Sequence, residues 1–246
     1  MRLRDREVGR ILKAPLEGRH YRAVRKMLFT CGGPSRFADT LWRYMFATGA
    51  YPHDVRLRTP LGTVSPTLYS YHDMLTVNEI FFREDYQSAD CGVVVDIGAN
   101  IGLSALYFLT RGANCRCYLF EPVPANIRKL KINLSSFAER YVLREVSVGT
   151  QAGPCEFGIE STGRYGGIGR ETGTRIIVDC LSINDVLREV LSVEKYIDVL
   201  KLDTEGTERE LVEAIEPEHR RRIRRLIFEN DQGRVVQCPL ADAVPA

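Results

Sequence analysis

No apolar run in the 246 residues approaches the roughly 20 that a membrane-spanning helix requires, so a helical membrane protein is excluded. The opening stretch MRLRDREVGRILKAPLEG is basic but lacks the apolar core of a signal peptide, and the expected location is the cytoplasm. No two cysteines form a CxxC pair. The seven stand at 31, 91, 115, 117, 155, 180 and 238, which argues against a zinc site or a disulfide framework and for reduced thiols. No repeat of roughly 20 to 50 residues is present, which excludes solenoids and propellers. Net charge is small, +2, but uneven: residues 1–30 carry nine Lys/Arg against three Asp/Glu, and the remainder is net −4. Aromatic residues do not interleave with this basic segment or with HRRRIRRLIF at 219–228, and no RNA-binding module is recognised, which argues against a nucleic-acid partner. Both basic runs read as solvated helix faces, with phosphate or nucleic-acid contact as the alternative.

What is present is the composition of a folded α/β protein, 44% hydrophobic and 27% charged. The first 73 residues read as a helical and extended segment, a cap or acceptor-side element, with helices on either side of CGGPS and short strands in the proline-containing stretch 51–71. A helix is expected over 73–87. From there the pattern alternates regularly. GVVVDIG (92–98), CRCYLFEP (115–122), YVLREVSVG (141–149), YIDVLKLDTEG (196–206) and IRRLIFEN (223–230) are strands. NIGLSALYFLTRG (100–112), VPANIRKLKINLSSF (123–137), INDVLREVLS (183–192) and TERELVEAI (207–215) are helices. This order implies βαβ units, a mostly parallel sheet with helices on both faces, and one domain over 74–246.

Ligands in such sheets bind beyond the carboxyl ends of the strands. Acids cluster there: Asp96, Glu121, Asp203 with Glu205, and Glu229. Gly98 and Gly102 are expected to let the loop after the first of these strands approach a ligand closely. The spacing G-A-N-I-G, with Asn100 inside it, differs from the GxGxxG of pyrophosphate binders. Asp96 suits a cationic group, and Glu121, about 25 residues on, suits ribose hydroxyls. A ribose, a positive charge and no phosphate together describe S-adenosylmethionine. For transfer of its methyl to a hydroxyl, the candidate general bases are Asp203 and Glu205, then His72. Glu229 is a further base candidate or an acceptor contact, and Glu208 is either an acceptor contact or a helix-start acid.

These residues resemble the FkbM-type methyltransferases. The likeness rests on VVVDIGANIGLSAL, FEPVPANIRKLKINL, VDCLSINDVL and IDVLKLDTEGTERELVEAI, and extends to NEIFFREDY at 78–86. It implies a class I methyltransferase (Rossmann-like) fold and O-methylation of a hydroxyl on a small natural product or sugar. It implies cofactor contacts at Glu79, Asp96, Gly98, Asn100, Gly102, Glu121 and Pro122, with Glu145 to Val148, Ser147 among them, near the adenine. Such sheets end in an antiparallel hairpin, and the 16 residues after LIFEN allow one short strand at most, a shortened hairpin.

The glycine-rich stretch STGRYGGIGRETGTR (161–175) reads either as a lid, with Arg164 and Tyr165 touching the acceptor, or as a hairpin tip. A divalent metal among the strand-end acids is the lesser alternative, and no residue is assigned to one. An RNA methyltransferase and a non-catalytic cofactor-binding subunit are the competing functions. A hydrophobic sheet edge left by the short C-terminus would favour a homodimer.

Overall fold

Short apolar runs separated by amphipathic segments set where strands and helices form. The computed structural model describes residues 2–3, 6–7, 18–87, 91–159, 166–168, 174–204, 206–229 and 235–239. The chain divides into two compact units, Met1–Gln87 and Ser88–Ala246. Residues 74–87 thus group with the first unit, whereas the sequence pattern joins them to the second.

In the first unit β1 (Arg2–Leu3) and β2 (Arg6–Glu7) pair antiparallel. Helix α1 (Gly18–Thr30) buries Ala23 and Met27. Helix α2 (Pro34–Phe46) starts on a proline, whose missing N–H costs nothing at a first helical position, and ends on a left-handed Ala47. The proline-containing stretch forms two small antiparallel pairs, β3 (His53–Asp54) with β6 (Thr67–Leu68) and β4 (Leu57–Thr59) with β5 (Gly62–Val64). Ser70 and Asp73 then form a capping box that starts α3 (Tyr71–Val77), which widens into a π-helical turn over Asn78–Phe82. The helix expected to reach residue 87 stops there, because Glu84 and Gln87 take positive φ.

In the second unit the strands are β7 (Val93–Ile97), β8 (Arg116–Phe120), β9 (Tyr141–Arg144), β10 (Ser147–Gly149), β11 (Gly153–Ile159), β12 (Gly166–Ile168), β13 (Thr174–Ser182), β14 (Val199–Leu202), β15 (Arg225–Glu229) and β16 (Val235–Pro239). The helices are α4 (Leu103–Leu109), α5 (Pro124–Asn133), α6 (Ile183–Val193), α7 (Glu208–Ala214) and α8 (Pro217–Arg220). The main sheet runs β16-β15-β14-β7-β8-β9, with five parallel strands and an antiparallel β16. One strand of the expected hairpin is therefore present, and it pairs with β15 along all five residues of each. Val95 and Ile97 of β7 pack with Val186, Leu187 and Leu211 of α6 and α7, while Asp96 points the other way, to Ser104 of α4. Burial on both faces is why the strand reads as an unbroken apolar run.

The stretch 141–149 is not one strand. Arg144 and Glu145 are exposed and pair outward with Glu189 and Lys131, and the chain turns there. β9 closes the main sheet, and β10 opens a second sheet of order β10-β13-β11-β12. From β7 the chain moves outward through β8 and β9, then crosses back to β14 on the other side of β7. The order reverses at the β7–β14 pair, where Lys201 lies beside Asp96.

Candidate active site

The chain leaving β7 must pass the end of β14, and the sequence there is shaped by that crossing. Gly98 has φ +81°, and a Cβ on it would sit 2.0 Å from the Asp203 carbonyl oxygen. The N–H groups of Gly98 and Ala99 both donate to the Phe120 carbonyl, at 3.0 and 3.1 Å, which ties the turn to β8. Asn100 is also left-handed, φ +49°. Gly102, the N-cap of α4, turns its bare face to Leu130 and Leu134. The two glycines are therefore needed for protein packing, at a strand crossing and under α5, whatever ligand the loop approaches.

Asp96 departs from expectation. It is 0% exposed, and its carboxylate receives Lys201 Nζ at 2.9 Å and the Ser104 hydroxyl. The cation it faces is Lys201, 105 residues away in sequence. Lys201 also reaches the Gly98 carbonyl at 3.3 Å and Asp203 at 3.1 Å. One buried ammonium thus joins the ends of β7 and β14. In the sequence Lys201 alternates with Asp203 and Glu205 toward a strand end, a spacing that puts it on the face of Asp203 without revealing its partner Asp96.

Glu121 is buried at the end of β8. Its Oε1 accepts from Val123 N at 3.0 Å and Asn126 Nδ2 at 3.2 Å, and its Oε2 from Asn100 N at 2.8 Å. Burial raises its pKa to about 7, against the pull of those three hydrogen bonds and of Lys201. A carboxylate has about four acceptor sites, so this one keeps capacity toward the space it lines.

That space is a cavity of about 60 Å³ at the strand ends. It is lined by Ile97, Gly98 and Asn100 at the end of β7, Phe120 to Val123 and Asn126 at the end of β8, and Val146, Ser147 and Val148 at the start of β10. Phe157 and Ile168 of the second sheet, with Asp203 and Thr204, complete it. The cavity brings together six residues singled out from sequence: Gly98, Asn100, Glu121, Pro122, Ser147 and Asp203. Ser147 is buried, its hydroxyl 3.2 Å from the Asp179 carbonyl. Asp203 is 41% exposed, with Oδ2 on Lys201 and no partner on Oδ1 among the described residues. Asn126, Phe157 and Ile168 went unread. Asn126 follows Glu121 by five residues, a spacing that could have marked it, whereas nothing local signals that β11 and β12 reach the strand ends.

Other expected residues stand elsewhere. Glu208 is buried and accepts from Thr204 N at 2.7 Å and Gly206 N at 2.9 Å, so it holds the loop before α7 instead of facing an acceptor. His72 and Glu79 belong to the first unit, in α3 and the π-helical turn. Glu229 ends β15, but its side chain lies outside the described residues, as do Glu205, Arg164 and Tyr165. Among the described residues one cluster has metal-ligand geometry, Glu216, Glu218 and His219 at α8, away from the strand-end carboxylates. No helix among the described residues is long and apolar enough to cross a membrane.

The chain is 29% identical over 164 residues to the AMB antimetabolite synthetase AmbE of Pseudomonas aeruginosa, a match covering 66% of this chain and 7% of that protein. It is 27% identical over 197 residues to methyltransferase sdnD of Sordaria araneosa, covering 61% and 72% of the two chains. It is similar to the crystal structure of methyltransferase FkbM from Methylobacillus flagellatus KT, at 16% identity and TM-score 0.42, covering 88% of this chain and 50% of that one. The chain therefore spans a small part of the synthetase and half of the solved chain. The methyltransferase FkbM domain matches residues 96–236, more than half of the sequence, and the chain belongs to that family of methyltransferases.

Proposed function

We propose that the protein transfers a methyl group from S-adenosylmethionine to a hydroxyl of a small natural product or sugar. The observation that carries this reading is Glu121, a buried carboxylate that lines the strand-end cavity with acceptor capacity to spare. Ribose hydroxyls are donors of the kind it lacks, and the apolar wall of Val148, Phe157 and Ile168 suits an adenine ring. The cofactor supplies an electrophilic methyl group on a sulfonium. Ordered side chains supply the rest: Lys201 fixes the ends of β7 and β14, and Asp203 presents its unpartnered Oδ1 to the acceptor. The acceptor oxygen would bond to the methyl carbon as the carbon–sulfur bond breaks and S-adenosylhomocysteine leaves, Asp203 Oδ1 would take the hydroxyl proton, and holding the oxygen in line would account for much of the rate. Glu205 and His72 are the other candidate bases. The cavity is smaller than a nucleoside, so binding displaces lining side chains.

A small-molecule acceptor is supported by the antimetabolite synthetase among the relatives. The test is a screen of hydroxylated sugars and metabolites with isotopically labelled S-adenosylmethionine, read by mass spectrometry. Label on an acceptor oxygen is expected. Asp203→Asn should lower kcat about 10²–10⁴-fold with little change in cofactor affinity. Methylation only of nitrogen, or full activity in Asp203→Asn, would overturn the corresponding part.

A further inference from the structure

The first unit contains a cavity of about 650 Å³, within the range of roughly 300–1,000 Å³ usual for small-molecule sites. It lies where α1 ends, α2 begins and the chain passes through β3 to β5. Two arginines line it, Arg36 from the first turn of α2 and Arg56 from the segment before β4. Gly32 between the helices brings them together. A Cβ placed on it would lie 3.6 Å from Arg56 Nε and 3.7 Å from Arg36 Nη1, so both guanidinium groups converge on its bare face.

Neither arginine has an ion pair or hydrogen bond among the described residues. The acids that line the same cavity are engaged elsewhere. Asp39 uses Oδ2 for Arg43 at 2.9 Å and His53 at 3.2 Å, and Asp54 uses Oδ1 for the Thr67 hydroxyl at 2.7 Å. Their other oxygens, Asp39 Oδ1 and Asp54 Oδ2, are without partners among the described residues. Two like charges brought to one point repel each other unless an anion joins them, and the planar guanidinium fork matches a carboxylate or phosphate.

We propose that this cavity binds a small hydroxylated molecule through a carboxylate or phosphate, which Arg36 and Arg56 hold while Ser35, Ser65 and the open oxygens of Asp39 and Asp54 meet its hydroxyls. The assignment is independent of the strand-end cofactor reading. The test is calorimetric titration of the full chain with glucose 6-phosphate, glucuronate, inorganic phosphate and glucose. The two hydroxylated anions bind, inorganic phosphate binds more weakly and glucose does not; which anion binds tighter tells phosphate from carboxylate. Arg36→Gln and Arg56→Gln each weaken binding about tenfold or more. Both positions are exposed, so the variants keep the wild-type melting temperature. Glu121→Gln, in the other unit, leaves the titration unchanged. Silence from every probe, or binding that survives both arginine substitutions, overturns the site. Inorganic phosphate binding as tightly as glucose 6-phosphate overturns the role of the hydroxyl contacts.

Discussion

Glu121 makes the strand-end site responsive to pH. Its folded pKa of about 7 stands above the ordinary 4.5, so the folded state holds its proton more tightly than the unfolded chain does. The associated stability is full below pH 4.5 and falls as pH rises toward 7, by on the order of 3 kcal/mol. Glu121→Gln should flatten that part of the curve and raise the melting temperature at pH 8 relative to wild type. A wild-type stability that rises between pH 5 and about 7, once other groups are allowed for by the variant, would contradict the burial argument. Lys201 is the second residue whose role is sharply defined. It is 4% exposed beside a fully buried Asp96, and removing one partner of such a pair costs roughly 3–5 kcal/mol. Lys201→Met should lower stability by that amount in urea melts, and adding Asp96→Asn should recover part of it. Additive losses would mean that the two charges do not act as a pair.

At the scale of elements, the crossing of β7 and β14 is the tightest constraint. Gly98→Ala would drive a methyl group into the Asp203 carbonyl in a left-handed backbone, and should destabilise by several kcal/mol or displace the loop. Unchanged thermal stability in Gly98→Ala would show that the two strand ends can part. The loop before α7 offers a contrast. Glu208→Gln should loosen residues 204–206, seen as faster amide exchange there, without a change in acceptor selectivity, because the carboxylate faces its own loop. A shift in selectivity alone would return Glu208 to the acceptor side. How much of this was legible follows from what each element depends on. β7 reads as a strand because both its faces are buried, whereas α3 reads as a helix only from residue 73, because its start, the reciprocal capping of Ser70 and Asp73, falls in a stretch that alternates like extended chain. The break after Arg144 does not read from the sequence, since its two sides pair with different strands, β9 with β8 and β10 with β13, and local pattern reveals neither partner. For the same reason Asp96 reads as an acid awaiting a ligand, when its partner is Lys201 on a strand formed 105 residues later.

At the largest scale, the main sheet's order places a reversal point at the β7–β14 pair, and five of the residues expected at a cofactor meet at its strand ends together with the candidate base Asp203. Asp96 to Gly102, Glu121 and Lys201 to Asp203 come from three strands separated by helices, and the parallel sheet makes them neighbours. The second sheet adds Phe157 and Ile168 from strands whose pairing partners no local pattern reveals. The most direct measurement is a calorimetric titration of the full chain with S-adenosylhomocysteine at pH 6 and pH 8, on wild type and on Glu121→Gln. The account predicts binding by wild type that tightens from pH 6 to pH 8 as Glu121 ionises, and weak binding by the variant at both. A folded wild type that does not bind, or a variant that binds as tightly as wild type with the same pH dependence, would contradict the assignment of the strand-end cavity as the cofactor site.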